Sequence, residues 1–267
     1  MKKEELITIS FPYYTGKDRT VRVYVPEHED DEKLPVIYMT DGQNLFESGR
    51  PGQYGCWYTR EAVREERQKS GHAAVIVGIH NDEGPLQRTG ELLPKSIGPL
   101  IIPDNMPEEL RNIEAEGELF DDFVLDTVMP YINSHFPVKT DRRNTAFCGS
   151  SSGGLQTFFT AVSHSDVFCA AGVFSPAFIP YDTNDVIGWT YNQMKESMPF
   201  LYFFCGGADP LEKEICTAAE TVYEGLMEFY PYESLKKVIM PDKPHHECSW
   251  EIVFKDLLHM FLDPSCF

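Results

Sequence analysis

The fold is decided by the stretch Asn144-Thr-Ala-Phe-Cys-Gly-Ser-Ser-Ser-Gly-Gly-Leu-Gln-Thr-Phe158. Its first half is apolar and typical of a short buried strand, and the residues after the glycines have a helical pattern. Ser151 lies between Gly149 and Gly153 in a Gly-x-Ser-x-Gly pattern. In a nucleophile elbow of this form, the serine occupies a strained turn, and the glycines prevent collisions with the neighbouring strand and helix. The stretch therefore predicts a strand, a sharp turn that presents Ser151, and a helix.

Strand and helix patterns alternate along most of the chain. Residues 6–11 and 20–26 predict an antiparallel edge hairpin with a turn at Gly16. Strands with few polar residues, as in a parallel sheet buried on both faces, are predicted at 36–40, 73–79, 145–148, 169–174, 200–204 and 236–240. Helices are predicted at 59–70, 119–135, 154–163, 184–195, 211–229 and 249–262. We therefore expect a single α/β domain over residues 1–267, with a mostly parallel central sheet, an antiparallel N-terminal edge hairpin and helices on both faces.

The segment from about residue 80 to 117 departs from this alternation. It contains prolines at positions 85, 94, 99, 103 and 107, which prevent any long regular element. An irregular insertion of this length in a compact fold is usually functional or mobile. We expect it either to wall or cap a pocket, or to be a surface excursion that does not contact substrate.

The composition excludes several classes of partner. A net charge of -19 and a pI near 4.7 disfavour nucleic acid, anionic membranes and polyanionic substrates, while a homo-oligomer stays possible. The N-terminal residues lack the apolar stretch that a signal peptide needs, and no run is long enough to span a membrane, so we expect a cytoplasmic protein. The seven cysteines include no CxxC pair, and we expect neither a metal nor a cofactor.

A serine nucleophile needs a general base within hydrogen-bond reach. His245 and His246 follow the last predicted strand and precede the last predicted helix, which puts them at the same sheet edge as Ser151. The remaining six histidines lie in loops, helices or chain positions that do not suit this role. One of these two neighbours is therefore the candidate base.

The base in turn needs a carboxylate to orient it. Asp209 follows the 200–204 strand through a glycine-rich turn, which gives the chain order serine, aspartate, histidine found in α/β-hydrolases. Glu212 lies three residues later and is the alternative acid. Asp209 before Pro210 also fits a helix N-cap, which would be a purely structural role.

An oxyanion intermediate needs two N–H donors. The backbone N–H of Ser152, at the start of the helix after the nucleophile, is one candidate donor. The second is the N–H of Gln43, where Gly42 lets the chain turn tightly after the 36–40 strand. Downstream of this turn, Phe46, Tyr54 and Trp57 are candidates for an apolar or sugar-stacking wall of the substrate site.

The chain resembles the putative-esterase family of α/β-hydrolases, which includes esterase D, enterochelin esterases, feruloyl and acetylxylan esterases, and mycolyltransferases. The matching segments are Tyr38-Met-Thr-Asp-Gly-Gln-Asn-Leu-Phe46, Trp57, Val77-Gly-Ile-His-Asn81, Arg88, Glu91, Pro130-Tyr-Ile132, Gly149-Ser-Ser-Ser-Gly-Gly154, Phe174-Ser-Pro-Ala177 and His245-His-Glu-Cys-Ser-Trp250. The last segment is similar to the family's His-x-Glu-x-x-Trp pattern, whose first histidine is the base. The resemblance therefore implies His245 as base, Ser151 as nucleophile and Gln43 as the second oxyanion donor.

The family uses either an aspartate in Gly-x-x-Asp, matched by Gly206 to Asp209, or a glutamate slightly later. We take Asp209 as the expected acid. The glycine-rich loop with a cysteine that marks the esterase D branch is not matched by Asp41-Gly-Gln-Asn-Leu45, which disfavours that branch. Arg50 and Arg88 are the loop arginines that could contact substrate.

The sequence as a whole predicts a serine esterase that acts on a small or medium ester, with an acylated sugar as the leading substrate. An acyltransferase of the mycolyltransferase type keeps the same residues and changes only the acceptor. A catalytically silent binding member of the fold is the third hypothesis.

Overall fold

The strands lie in one mixed sheet. The computed structural model describes residues 1–49, 55–82, 84–102, 108–263 and 265. The strands of this part of the chain are β1 (Glu5–Pro12), β2 (Asp18–Val25), β3 (Val36–Met39), β4 (Val75–Ile79), β5 (Thr145–Ser150), β6 (Ala170–Phe174), β7 (Phe200–Cys205) and β8 (Leu235–Ile239).

The strands follow the order β1-β2-β4-β3-β5-β6-β7-β8 across the sheet, and among these eight strands β2 runs opposite to the others. β2 pairs antiparallel with both β1 and β4, whereas the pairs β4-β3, β3-β5, β5-β6, β6-β7 and β7-β8 are parallel. Antiparallel neighbours can be joined by a tight turn, and parallel neighbours need a crossover, usually a helix. The predicted N-terminal hairpin and mostly parallel sheet are both confirmed.

Helices cover both faces of the sheet. They are α1 (Thr59–Ser70), α2 (Pro85–Glu91), α3 (Glu108–Arg111), α4 (Gly117–Asp122), α5 (Met129–His135), α6 (Ser152–Ser163), α7 (Thr183–Asn192), α8 (Pro210–Leu226) and α9 (Glu247–Leu262). A π-helical turn, Phe123–Val128, joins α4 to α5. The sequence predicted one uninterrupted helix there; Pro130 cannot donate the hydrogen bond of a regular helix, which fits a change of helical register just before it.

Two hydrophobic cores result, one on each face. α1 and α9 pack with one set of strand side chains, including Ile37 and Met39 of β3. α4 to α8 pack with the other set, including Val36 and Tyr38 of the same strand. Because successive side chains of a strand point to opposite faces, an apolar residue at every position is what a doubly covered strand requires.

The insertion of residues 80–117 contributes to the second core. Within its described residues it forms the short helices α2 and α3 and a 3-10 turn over Lys95–Ile97. Leu92, Leu93 and Ile97 are buried. The insertion therefore has short regular elements and is packed on the domain. Among the described residues, no helix combines the length and apolar character needed to cross a membrane.

Candidate active site

Ser151 lies at the junction of β5 and α6 with φ 60° and ψ -130°. A residue other than glycine with this backbone conformation is strained, and such strain persists only where surrounding contacts hold it. Here the Ser151 N–H donates to the Phe174 carbonyl at 3.0 Å, and the Ser151 carbonyl accepts from Ala177 at 3.1 Å. The strand-turn-helix elbow predicted from the sequence is therefore present, with Ser151 half-buried at its apex.

The glycines of the elbow allow close approaches. A Cβ atom at Gly149 would collide with the Thr40 hydroxyl oxygen and with the carbonyl of Gly153, and one at Gly153 would collide with the same hydroxyl oxygen. Gly154 approaches the Phe174 carbonyl so closely that a Cβ there would lie 2.5 Å from the oxygen. The spacing of the glycines thus has the steric origin that the pattern predicts.

His245 lies between β8 and α9, at the carboxyl edge of the sheet. Its Nδ1 is 2.5 Å from Glu212 Oε2, and its ring meets the Trp250 ring edge to face, with centroids 5.1 Å apart. About 14% of the His245 side chain is exposed. The imidazole is therefore fixed on one side and accessible on the other.

The carboxylate beside the imidazole belongs to Glu212, in the first turn of α8. Glu212 has no exposed surface, and its Oε1 accepts hydrogen bonds from the Gly206 N–H at 2.5 Å and the Ser175 hydroxyl at 2.6 Å. An ionised carboxylate has no proton to donate, so Oε2 can only accept from the imidazole, and we assign the ring proton to Nδ1. His245 Nε2 is then left as a proton acceptor.

Asp209, the acid expected from the sequence, does not contact the imidazole ring in this way. It is the N-cap residue of α8, and its Oδ1 accepts from the Glu212 N–H at 2.9 Å. Its Oδ2 accepts from the backbone N–H of His245 at 2.7 Å. These two backbone donors hold the pKa of Asp209 below its ordinary value. The geometry favours Glu212, the alternative left open by the sequence, because the N-cap position turns the Asp209 carboxylate back onto backbone amides.

The turn after β3 carries the candidate donor Gln43. Asp41 adopts a left-handed conformation, with φ 53°, and leads into a 3-10 turn over Gly42–Asn44. A Cβ at Gly42 would collide with the backbone of Gly78 in β4, so glycine is needed there for close approach, whereas Asp41 takes the unusual backbone angles. A Cβ on Gly153 would lie 2.9 Å from Asp41 Oδ2, which shows that this turn lies against the start of α6, where Ser152 is the first residue.

Three side-chain bridges hold the Asp41 to Asn44 turn. Arg88 forms a two-pronged ion pair with Asp41, with both N–O distances 2.7 Å. The Gln43 side chain exchanges hydrogen bonds with Asn81. Asn44 Nδ2 donates to Glu247 Oε1 at 3.1 Å, which ties the turn to the segment that carries His245.

Three of the five residues expected to contact substrate have other contacts. Phe46 is 3% exposed and Trp57 is 1% exposed, and the Trp57 ring stacks on Phe174 at a centroid distance of 5.7 Å. Both belong to the core, because their neighbours in the sheet and in α9 cover them. Arg88 is engaged by Asp41 and so supports the turn. Arg50 and Tyr54 lie outside the described residues.

Sequence reasoning assigned no role to Ser175 or Glu247, although both lie in segments that matched the family. Ser175 directly follows β6 at the carboxyl edge of the sheet. Its position after a buried strand, next to the strand that precedes Ser151, was the available signal. Glu247 is the glutamate of the His-x-Glu-x-x-Trp pattern, and that match was the available signal for it.

Replacing Arg88 by methionine is expected to lower the free energy of unfolding by about 2 kcal/mol, because it leaves the buried Asp41 carboxylate without its partner. Asp41→Asn in the same chain should restore most of that loss, since asparagine tolerates the left-handed conformation and carries no charge. Urea unfolding of the three proteins measures both effects.

Arg22→Met is the matched control for this prediction. Arg22 forms a similar two-pronged pair with Glu47, whose side chain is 60% exposed, so its loss should cost less than about 1 kcal/mol. An equal loss of stability in the Arg22 and Arg88 variants would contradict the proposed role of Arg88 in holding the turn.

Comparison with known proteins shows that the sequence of this chain is similar to those of esterases. The chain matches the family model described as putative esterase over residues 13–198. The endo-1,4-beta-xylanase/feruloyl esterase of Xylanibacter ruminicola is 24% identical over an alignment of 204 residues that covers 73% of this chain and 23% of that protein. The chain thus spans about a quarter of the length of this relative.

Solved structures show the same fold. An IroE-like serine hydrolase from Shewanella oneidensis has a TM-score of 0.72 and 16% identity, covering 96% of this chain and 80% of that chain. The siderophore hydrolase EstB from Aspergillus nidulans has a TM-score of 0.68 and 19% identity, covering 99% of this chain and 98% of that chain. The α/β-hydrolase fold expected from the sequence is confirmed.

Proposed function

The chain belongs to the putative esterase family, and on this premise we propose that it is a serine carboxylic-ester hydrolase that works through an acyl-enzyme intermediate. The observation that carries the proposal is the pairing of two features at one edge of the sheet. One is Ser151 in a strained elbow, and the other is an imidazole whose Nδ1 is held by a buried carboxylate.

In the first half of the reaction, Ser151 Oγ attacks the carbonyl carbon of the ester, and His245 Nε2 takes the hydroxyl proton. Glu212 keeps the imidazole in the tautomer that can accept this proton and stabilises the imidazolium that forms. His245 then gives the proton to the departing alkoxide, so that an alcohol leaves and the acyl group stays on Ser151.

In the second half, water attacks the acyl-enzyme and His245 again takes and returns the proton. The tetrahedral intermediate of each half carries a negative oxygen. We propose that the backbone N–H groups of Gln43 and Ser152 bind this oxygen, with the helix dipole of α6 adding to the stabilisation. All of these steps use only groups of the chain and water.

For the substrate we propose a neutral ester of small or medium size, with an acylated or feruloylated sugar first. Two observations support this choice. The Xylanibacter ruminicola relative is named a xylanase and feruloyl esterase, and a net charge of -19 disfavours polyanionic esters. A cytoplasmic location stays a prediction.

A fluorophosphonate probe tests the chemistry. We expect the folded protein to take up one probe per chain, on Ser151, as mapped by mass spectrometry of peptides, and the heat-denatured protein to take up none. A modified residue other than Ser151 would contradict the assignment. Absence of labelling would support the silent binding member instead.

A panel of esters tests the reaction and the substrate class. We expect acetate release from an acetylated sugar or ferulate release from methyl ferulate, with water as the acyl acceptor. If added alcohol or trehalose became the main acceptor at low concentration, the acyltransferase hypothesis would replace hydrolysis.

A further inference from the structure

Ser175 has no place in the proposed mechanism, and yet its backbone is held in an unfavourable conformation at the centre of the site. It follows β6 directly, has φ 39° and is completely buried. Its N–H donates to the Phe204 carbonyl of β7 at 2.6 Å. A buried, left-handed serine is uncommon, because its Cβ is strained there and its hydroxyl must be satisfied by the protein.

The direction of the hydrogen bonds at Ser175 follows from the chemistry of its two partners. The indole Nε1–H of Trp250 is 2.9 Å from Ser175 Oγ, and an indole nitrogen can only donate. Ser175 Oγ therefore accepts from Trp250. Its single proton is then available for Glu212 Oε1, which lies 2.6 Å away.

Glu212 is fixed by this arrangement. Oε1 receives the Ser175 hydroxyl and the Gly206 N–H, so Oε2 is the oxygen presented to the imidazole of His245. Trp250 contacts both Ser175 and His245, since its indole N–H donates to Ser175 and its ring packs edge to face on the His245 ring. The four side chains Trp250, Ser175, Glu212 and His245 thus form a closed ring of contacts.

We propose that Ser175 is a positioning residue, which fixes the Glu212 carboxylate for His245 by means of a hydroxyl that Trp250 orients. The proposal rests on the proposed esterase function, because it assigns Ser175 a part in turnover. Ser175 does not reach the substrate. Its removal should therefore slow the proton transfers and leave substrate binding nearly unchanged.

Two substitutions separate the hydroxyl from the backbone strain. Ser175→Ala removes the hydroxyl and keeps a Cβ in the left-handed conformation, whereas Ser175→Gly removes the hydroxyl and relieves the strain. The glycine variant should therefore unfold at a higher temperature than the alanine variant. In both variants we expect kcat to fall about 10- to 100-fold, the effect of losing a hydrogen bond to a charged group, with KM changed less than twofold.

The matched control is Ser165→Ala. Ser165 is also a buried serine, 1% exposed, but it precedes β6 and lies at the opposite edge of the sheet. Its replacement should leave kcat unchanged. Equal losses of kcat in the two Ser175 variants, despite their different melting temperatures, would support the proposal.

Two results would overturn it. One is a glycine variant with the kcat of the unmodified protein, and the other is a loss of kcat that follows the melting temperature from one variant to the other. Fluorophosphonate labelling separates this failure from failure of the proposed function. If the unmodified protein is not labelled at Ser151, both proposals fall; if all the proteins are labelled at the same rate, only the role of Ser175 falls.

Discussion

Replacement of Ser151 by alanine is expected to lower kcat/KM for an activated ester such as p-nitrophenyl acetate by about 10⁴- to 10⁶-fold, as loss of the nucleophile does in serine proteases. The reason is that an alanine methyl group cannot form the acyl-enzyme, so only oxyanion stabilisation and binding remain. Alanine accepts the same strained backbone conformation no better and no worse than serine. The melting temperature should therefore change little, so the loss of kcat/KM would reflect the missing nucleophile and not unfolding.

Ser163→Ala is the control for this experiment, because Ser163 is the last residue of α6, the helix that follows Ser151. It should keep the activity of the unmodified protein. Turnover by Ser151→Ala at a rate close to that of the control would remove the nucleophile from the mechanism. It would also mean that the strained backbone conformation of Ser151 has no role in catalysis.

The parts of this site that the sequence predicted are those set by the backbone. The Gly-x-Ser-x-Gly pattern predicts the elbow because a Cβ at either glycine would collide with the Thr40 hydroxyl, and a Cβ at Gly149 would also collide with the Gly153 carbonyl. Thr40 directly follows β3, which pairs with β5, so these close approaches follow from the course of neighbouring elements. The strands alternate with helices, and each lies within a few residues of its predicted range. The position of His245 and His246 was predictable for a similar reason, since the carboxyl ends of parallel strands meet at one edge of the sheet. The choice of His245 between them came from the resemblance to the esterase family's His-x-Glu-x-x-Trp pattern.

The sequence could not predict which of two nearby side chains makes a given contact when both start from almost the same place on the backbone. Asp209 and Glu212 both stand at the start of α8, and both could reach a loop at the same sheet edge. Pro210 at the first helical position makes Asp209 the N-cap residue, so its carboxylate is used by backbone amides, and Glu212, one turn further on, faces the imidazole.

The aromatic residues near the turn after β3 illustrate the same limit. Phe46 and Trp57 follow the candidate oxyanion turn in sequence, which suits a substrate wall and a core equally well. Which of the two applies depends on what covers them. Phe174 stacks on Trp57, and Trp250 and Phe254 of α9 pack against the same ring, and none of these contacts is adjacent in sequence.

The second large effect is expected at Glu212. Glu212→Gln keeps the size of the side chain and can keep an oxygen facing Gly206 and Ser175. Its amide NH2 group then faces His245, so Nδ1 becomes an acceptor and the ring proton moves to Nε2. An imidazole in that tautomer cannot take the Ser151 proton. We expect kcat to fall about 10⁴-fold, as for the equivalent aspartate-to-asparagine change in serine proteases.

Asp209→Asn is the comparison that decides between the two acids. Asparagine is as good an N-cap as aspartate, so α8 should keep its start and the melting temperature should change little. The backbone N–H of His245 loses a charged acceptor, which should loosen the loop and lower kcat about 10-fold. Glu214→Gln, an exposed change on the same helix, should have no effect on turnover.

The relative values of kcat in these three variants distinguish the roles of the two carboxylates. A larger loss for Asp209→Asn than for Glu212→Gln would return the role of the acid to Asp209 and reduce Glu212 to a structural contact. Equal and small losses in both would mean that Ser151 and His245 suffice as a pair. A large loss at Glu212, a modest one at Asp209 and none at Glu214 would assign the two carboxylates separate tasks, one on the imidazole and one on the backbone that carries it.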